Sequence, residues 1–335
     1  MRRRAVMALI LAGCASAGQN GGMAWFSEWP AEAPGGLDPK VRAMLDAAGP
    51  VAEFRTKPLG GLRELFGEQT AKIPKLREPV SKIEDRTAAG GVPVRLYRPE
   101  GMGPFPALLY FHGGGWVLGD LESHDDVCRS LASRGGVVVL SVHYRLAPET
   151  RFPGPVDDGS AVLRWTADHS AELGVDGSRL AVGGDSAGGQ IAAAVAFRER
   201  QRVRFQLLIY PVTDASFETP SYREFASGFG LTRGNMIWFW ECYLSRPSDA
   251  SDPLASPLRA KDLRGLPPAF VATAECDVLR DEGEAYAKRL HDAGVSVRCV
   301  RYRNLNHGFV RMGAVYPQAD RALADLGHAL RDGLR

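Results

Sequence analysis

The sequence predicts an α/β protein with a mostly parallel sheet that carries helices on both faces. From about Val80 onward, short β-branched runs alternate with longer amphipathic runs, which is the pattern of parallel strands joined by crossover helices. The strand-like runs are almost continuously hydrophobic, as strands covered on both faces should be. With 335 residues, of which 45% are hydrophobic, the chain is long enough to bury a large core.

The elements follow in order along the chain. The strand-like runs are 92–97, 106–111, 137–144, 180–182, 206–210, 269–274 and 295–301. The helix-like runs between and after them are 123–133, 157–171, 187–200, 281–293 and 319–334.

Two stretches interrupt this alternation. Residues 15–75 and 212–266 are rich in turn residues or aromatics and contain further helix-like runs. We expect them to form a helical cap over an α/β core made of 76–211 and 267–335. Four aromatic residues in the cap are expected to pack between cap and core rather than against a ligand: Trp238, Phe239, Trp240 and Tyr243.

The first 14 residues resemble a secretion signal. Three arginines precede the uncharged run 5–12, which is too short to span a bilayer. The following Leu-Ala-Gly-Cys14 resembles a bacterial lipobox, which implies cleavage before Cys14, a lipid on its thiol and a membrane-anchored protein on the extracytoplasmic side. The alternative is a cytoplasmic protein that starts at Met23.

Composition excludes several classes of function. Lys and Arg total 41 against 39 Asp and Glu, and they form no basic stripe with aromatics, so nucleic-acid binding is not expected. The five cysteines form no C-x-x-C pair and lack zinc-ligand spacing to histidine, so neither a metal site nor a disulfide framework is expected. We also expect no cofactor.

A nucleophile motif stands between a strand-like and a helix-like run. Gly184-Asp-Ser186-Ala-Gly188 has the G-x-S-x-G spacing of a nucleophile elbow. The sharp turn strains the serine backbone and leaves no room for neighbouring side chains, which explains the flanking glycines. The helix that follows offers its positive dipole end and the Ala187 N–H to an anion. A phosphate-binding loop is the competing interpretation, but its Gly-Lys-Ser/Thr ending is missing.

A second glycine-rich motif follows the strand-like run 106–111. His112-Gly-Gly-Gly115 is of the type that forms an oxyanion hole in esterases. We expect the N–H groups of Gly113 and Gly114 to act with that of Ala187 as three donors to a tetrahedral oxyanion. His112 is expected to be structural.

A serine nucleophile requires a base, and the elbow predicts the chain order serine, acid, histidine. Among seven histidines, only His307 falls in a loop after the last strand-like run. Asp277 follows the preceding strand and is the expected acid. Its neighbours remain rival acids, although two of them belong to the first turn of the next helix: Glu275, Asp281 and Glu282.

Together these motifs resemble the bacterial hormone-sensitive-lipase family of esterases within the α/β-hydrolases. The resemblance covers roughly 75–335. It includes Tyr144-Arg-Leu-Ala-Pro-Glu149, Leu266-Pro-Pro-Ala269, Asp277-Val-Leu-Arg-Asp-Glu-Gly283 and His307-Gly-Phe309 besides the elbow and the glycine motif. It implies a capped, eight-stranded α/β-hydrolase fold with Ser186, Asp277 and His307 as catalytic triad. Val278 and Gln190 depart from the family's usual proline and asparagine.

The resemblance implies hydrolysis of small-molecule esters with short or medium acyl chains through an acyl-enzyme. Two alternatives remain open: cleavage of amides, peptides or acetyl groups on the same triad, and a non-catalytic receptor that binds a ligand in the capped pocket. Receptors of this family have lost the triad histidine, whereas His307 is present here. Dimerisation is common among such relatives, and an exposed last strand could support a homodimer.

Overall fold

A computed structural model describes residues 36–48 and 54–335. Its sheet has eight strands in the order β1-β2-β4-β3-β5-β6-β7-β8. Strand β2 runs antiparallel to both neighbours, and all other pairs are parallel. The mostly parallel, eight-stranded fold is thereby confirmed. The strands are β1 Lys82–Thr87, β2 Pro93–Arg98, β3 Phe105–Phe111, β4 Val138–Val142, β5 Val175–Asp185, β6 Val203–Ile209, β7 Ala269–Cys276 and β8 Val297–Asn306.

Helices cover both faces of the sheet. Apolar residues of α4, α6 and α9 share one buried cluster, and those of α3 and α10 share another on the opposite face. The helices are α1 Pro39–Ala48, α2 Leu59–Ala71, α3 Asp125–Gly135, α4 Gly154–Asp168, α5 Ser170–Leu173, α6 Ala187–Arg198, α7 Pro220–Glu224, α8 Arg233–Tyr243, α9 Arg280–Asp292 and α10 Pro317–Gly333.

Strand β1 is not among the seven strands that the sequence predicts. Its sequence, KIEDRT, is largely charged, and none of its residues is fully buried. It lies at the edge of the sheet and pairs only with β2. Because its stability comes from backbone pairing and not from an apolar face, hydrophobic pattern gives no signal for it.

Residues of the two segments expected to form a cap line one cavity together with residues at the carboxyl ends of β3, β5 and β8. Helices α1 and α2 belong to the first segment, and α7 and α8 to the second. Within α8, Tyr243 stacks on Trp116 with ring centroids 4.1 Å apart, and Trp240 meets Trp116 edge-on at 4.9 Å. The signal-like residues 1–14, with Cys14, lie outside the described residues. None of the helices within 36–48 and 54–335 combines the length and the hydropathy that a membrane span requires.

Candidate active site

Ser186 lies at the tight turn between β5 and α6. Its backbone has φ 57° and ψ −120°, a conformation that a residue other than glycine adopts only under strain. The turn is fixed because Ser186 N–H donates to Ile209 O at 2.9 Å and Ser186 O accepts from Val212 N at 3.1 Å. A Cβ on Gly184 or Gly188 would collide with Phe111 O at the end of β3. The flanking glycines thus allow β3 to approach the turn closely.

The structure brings the three expected triad residues into one chain of contacts. His307 Nε2 lies 3.0 Å from Ser186 Oγ, and His307 Nδ1 lies 2.7 Å from Asp277 Oδ2. Asp277 is buried, and its other oxygen accepts the Leu279 N–H at 3.0 Å. Serine, imidazole and carboxylate are therefore connected in the order that general-base activation of a hydroxyl requires.

The three rival acids are engaged elsewhere. Each accepts a backbone N–H at 2.7 Å: Glu275 from Asn304, Asp281 from Ser221 and Glu282 from Thr213. None of these contacts involves the imidazole of His307. Asp277 is the carboxylate placed to orient that ring.

The oxyanion donors offered by the glycine motif are shifted by one residue from the expected pair. Gly113 N–H donates to Asp185 Oδ1 at 2.8 Å, so the expectation that it faces an oxyanion is wrong: its hydrogen already has a buried carboxylate partner. The N–H groups of Gly114 and Gly115 have no acceptor among the described residues. Ala187 is the first residue of α6, and its N–H has no acceptor within the helix. The available donors are therefore those of Gly114, Gly115 and Ala187.

Asp185 is the centre of a buried polar network that sequence reasoning missed. Its carboxylate accepts Tyr110 OH at 2.8 Å and Tyr210 OH at 3.4 Å, and His124 Nε2 lies 3.2 Å away. Burial alone would raise the pKa of Asp185, but the interaction with His124, the hydrogen bond from Tyr110 and the charge of Arg311 hold the pKa well below its usual range. Asp185 occupies a variable position of the G-x-S-x-G motif. The sequence alone does not indicate that this carboxylate is buried, so its contacts could not be inferred from the motif.

His112 supports the glycine loop from behind. Its ring is fully buried, stacks on Tyr144 at 4.5 Å and has Nδ1 2.9 Å from Gly113 O. Burial lowers the pKa of His112 to about 3, so the ring is neutral at physiological pH. Tyr144 OH also donates to His112 O at 2.8 Å. These contacts suit the structural role expected for His112.

Gln190 connects the glycine loop, the helix after the nucleophile and the cap. Its Oε1 accepts Trp116 Nε1–H at 2.8 Å and Tyr243 OH at 3.2 Å, while its Nε2 donates to Leu254 O at 2.5 Å. The departure from asparagine thus supplies a longer side chain that satisfies two buried donors at once.

A cavity of about 290 Å³ opens at Ser186 and His307. Its apolar lining comes from both cap segments, the loop after β3 and the turn after His307: Met44, Leu45, Phe54, Phe66, Leu118, Leu231, Phe239 and Met312. Trp240 and Tyr243 pack between cap and core as expected, whereas Phe239 contributes to the cavity wall. A Cβ on Gly115 would collide with the Phe239 ring. The absence of a side chain at this position therefore allows the cap to pack against the glycine loop.

Comparison with known proteins agrees with this geometry. A family model described as an alpha/beta hydrolase fold matches residues 108–311. Ethyl acetate hydrolase of Pseudomonas putida is 40% identical, covering 89% of this chain and 99% of the relative. Carboxylesterase NlhH of Mycobacterium tuberculosis is 41% identical, covering 88% and 96%.

Solved structures give the same picture. A thermostable esterase from Pseudomonas putida superposes with a TM-score of 0.86 at 39% identity, covering 91% of this chain and 99% of its own. A hyperthermophilic esterase from Pyrobaculum calidifontis gives 0.84 at 41% identity, covering 88% and 98%. The chain therefore belongs to the hormone-sensitive-lipase-like family of esterases within the α/β-hydrolases.

Proposed function

We propose that this carboxylic ester hydrolase works through an acyl-enzyme on Ser186. The observation that carries the proposal is the continuous set of contacts from Asp277 through His307 to Ser186 Oγ. Serine hydroxyls are weak nucleophiles on their own. A neighbouring imidazole that is itself oriented by a buried carboxylate is the arrangement that activates them.

The reaction begins with attack of Ser186 Oγ on the ester carbonyl while His307 Nε2 accepts the hydroxyl proton. The resulting oxyanion is held by the N–H groups of Gly114, Gly115 and Ala187, whose positive ends stabilise charge that develops only in the transition state. Collapse breaks the ester C–O bond, and His307 returns the proton to the leaving alcohol. Water, deprotonated by the same imidazole, then releases the acid and regenerates Ser186.

Asp277 supports the imidazole during both steps. Its hydrogen bond to Nδ1 fixes the tautomer that presents an unprotonated Nε2 to the serine. When His307 becomes an imidazolium, the buried carboxylate stabilises the positive charge. Asp277 does not need to accept a proton for this role.

The dimensions of the cavity support esters with short or medium acyl chains. About 290 Å³ is at the lower end of the range found for small-molecule sites, roughly 300–1,000 Å³. Its wall is mostly apolar and joins both cap segments. The cavity thus suits a compact substrate better than a long lipid chain.

The test is a comparison of 4-nitrophenyl esters of graded chain length with the matching anilides, together with covalent labelling by an organophosphonate. We expect ester hydrolysis with highest kcat/KM at short or medium chains, little anilide cleavage, and a phosphonate adduct on Ser186. Ser186→Ala serves as the unlabelled, inactive control. Anilide turnover equal to ester turnover would support amide hydrolysis, and absence of the adduct would point to a non-catalytic receptor.

We infer a lipid anchor at Cys14 from the Leu-Ala-Gly-Cys sequence and its basic and apolar flanks. Mass spectrometry of the protein from its native membrane tests this inference. A diacylglycerol-modified Cys14 at the N-terminus is the expected result. An unmodified Cys14, or an N-terminus at Met23, would contradict it.

We also propose a homodimer formed through β8. This strand lies at the edge of the sheet with β7 as its single strand neighbour, and a second copy placed alongside its outer edge would continue the sheet. Light scattering of the purified protein is expected to give twice the mass of the chain. A monomer at micromolar concentration would contradict the proposal.

A further inference from the structure

One arginine lines the cavity without a role in the proposed mechanism. Arg311 lies in the helical turn Phe309–Met312, four residues after His307. Its guanidinium lies 5.1 Å from the centre of the Phe66 ring, and Nη1 is 3.3 Å from Thr70 Oγ1. Both partners belong to α2, so the cation is held between the cap and the loop that carries the imidazole.

The guanidinium of Arg311 lies close to Gly308, the residue that follows His307. A Cβ on Gly308 would lie 3.3 Å from Arg311 Nη2, a tighter contact than side chains normally make. Gly308 has φ 85°, which favours glycine by itself, so this contact shows that the guanidinium lies close beside the residue after His307. Arg311 is half-buried, which reduces the screening of its charge by solvent.

Arg311 forms no ion pair in the described part of the chain. No carboxylate oxygen lies within 4 Å of it, whereas other partly buried arginines are paired, for example Arg134 with Glu78 and Arg301 with Glu284. Its single hydrogen bond is to the neutral hydroxyl of Thr70. The remaining N–H groups of the guanidinium have no acceptor among the described residues.

The cavity contains one carboxylate that the charge of Arg311 influences without forming an ion pair with it. Among its described lining residues, the only carboxylate is that of Asp185. That carboxylate is occupied by Tyr110 and Gly113 and lies beside His124. A neutral, wholly apolar substrate would therefore cover the cation without supplying a partner, which is unfavourable for a desolvated charge.

We propose that Arg311 binds a carboxylate on the substrate, so that the preferred substrates are anionic esters such as half-esters of short dicarboxylic acids. The planar fork of a guanidinium matches the two oxygens of a carboxylate. The Phe66 ring and Thr70 hold the fork in place before binding. This inference rests on the proposed ester hydrolysis and adds the charge of the substrate to it.

The experiment compares each half-ester with a neutral ester of the same shape. Monoethyl succinate, glutarate and adipate are paired with ethyl esters in which an isopropyl group replaces the carboxylate, and release of ethanol is measured. Acetyl esters of short ω-hydroxy acids, paired in the same way, place the anion on the alcohol side. We expect the wild-type kcat/KM to be higher for the anion in at least one pair, and added NaCl to reduce this preference.

Three variants test whether Arg311 causes the preference for the anionic substrate. Arg311→Gln is expected to lower the anionic-to-neutral ratio of kcat/KM by about tenfold to hundredfold, the scale of a charge-assisted hydrogen bond. Arg311→Lys, which keeps the charge and loses the fork, is expected to give an intermediate ratio. Arg321→Gln removes the same charge from an exposed site on α10 that does not line the cavity, and it should keep the wild-type ratio.

The outcomes separate this inference from the proposed function. If the wild type hydrolyses neutral esters and is labelled at Ser186, but shows no anionic preference or keeps that preference in Arg311→Gln, the role of Arg311 is overturned while ester hydrolysis stands. If the wild type hydrolyses neither ester of any pair and is not labelled, the proposed function itself fails. Should Arg311→Gln not fold, the lysine variant and the salt dependence of the wild type still decide the question.

Discussion

The buried carboxylate of Asp185 accepts the Gly113 N–H at 2.8 Å, and this bond joins the end of β5 to the loop after β3. Asp185 directly precedes Ser186 in the chain and binds the glycine loop through Gly113. It therefore fixes the nucleophile relative to the N–H groups of Gly114 and Gly115. The donors to the oxyanion are thus positioned by a residue that is not itself one of the donors. A carboxylate is suited to this task since it can accept several hydrogen bonds at once.

Asp185→Asn tests this positioning role. Gly113 and Tyr110 donate to one carboxylate oxygen and Tyr210 donates to the other, so the NH2 group of the amide faces a donor on whichever side it takes and disturbs the network that holds the loop. We expect kcat to fall by about 10²-fold, the scale of losing one oxyanion donor, with a smaller change in KM. Asp262→Asn, an exposed carboxylate, is the control. Wild-type kcat in a folded Asp185→Asn protein would contradict the role.

The same variant has a predictable pH dependence of stability. The pKa of Asp185 is held below its usual value of 3.8, so its ionised form stabilises the folded state. That contribution is complete above the unfolded-state pKa and is lost as the pH falls through the folded-state pKa. Urea unfolding should therefore show the largest difference between wild type and Asp185→Asn near neutral pH, and a shrinking difference only below about pH 4.

Asp277→Asn should retain the fold and lower kcat by about 10⁴-fold, because the amide favours the wrong tautomer of the imidazole. The measurement is hydrolysis of a 4-nitrophenyl ester after a circular-dichroism check of folding. Asp281→Asn changes a rival acid whose carboxylate accepts from Ser221 and Arg280. It should keep wild-type kcat. Equal losses in both variants would mean that the acid has been assigned to the wrong residue.

Alanine substitutions at two glycines with the same φ distinguish the effect of backbone strain from that of a steric clash. Gly115 and Gly136 have φ of 61° and 62°, so alanine adds similar strain at both, about 1–2 kcal/mol. At Gly115 the new Cβ also collides with the Phe239 ring, whereas at Gly136 nothing lies within 4 Å. We expect Gly115→Ala to lose more stability in urea unfolding than Gly136→Ala, because the Phe239 ring must shift, and only Gly115→Ala to lose kcat, by about 10²-fold or more. A comparable loss of kcat in Gly136→Ala would remove the argument for blockage.

The sequence could predict the residues whose chemistry sets their type and their place along the chain. Ser186, Asp277 and His307 each follow a strand, and a parallel sheet brings such ends together. The identity of the donor amides could not be predicted, because the three glycines look alike in sequence. Only the bond from Gly113 to Asp185 distinguishes the first from the others.

Arg311 was missed for a different reason. The chain contains many arginines, and residue type alone does not distinguish a paired surface cation from an unpaired one in a cavity. That distinction depends on distant partners such as Phe66 and Thr70, which belong to the cap. Cap segments follow no sheet periodicity, so their contacts with the site emerge only from tertiary packing.

Glu282 provides a test of burial close to the acid of the triad. It is fully buried, its Oε1 accepts Thr213 N–H at 2.7 Å, and its Oε2 has no hydrogen-bond partner among the described residues. Burial raises the pKa of Glu282 well above its usual value of 4.5, although the backbone bonds from Thr213 and Asp214 oppose the shift. The charged form therefore destabilises the fold. Stability is retained below the unfolded-state pKa and lost as the pH rises through the folded-state pKa.

Glu282→Gln keeps the accepting oxygen and cannot ionise. The free energy of unfolding of the variant minus that of the wild type should therefore increase as the pH rises from about 5 to 8, whatever the constant offset from the new amide. Urea unfolding across this range measures the slope. Glu68→Gln, exposed on α2, controls for the change in net charge. A difference that instead decreases with rising pH would mean that the carboxylate is stabilised in its charged form, because the two backbone donors then outweigh its burial.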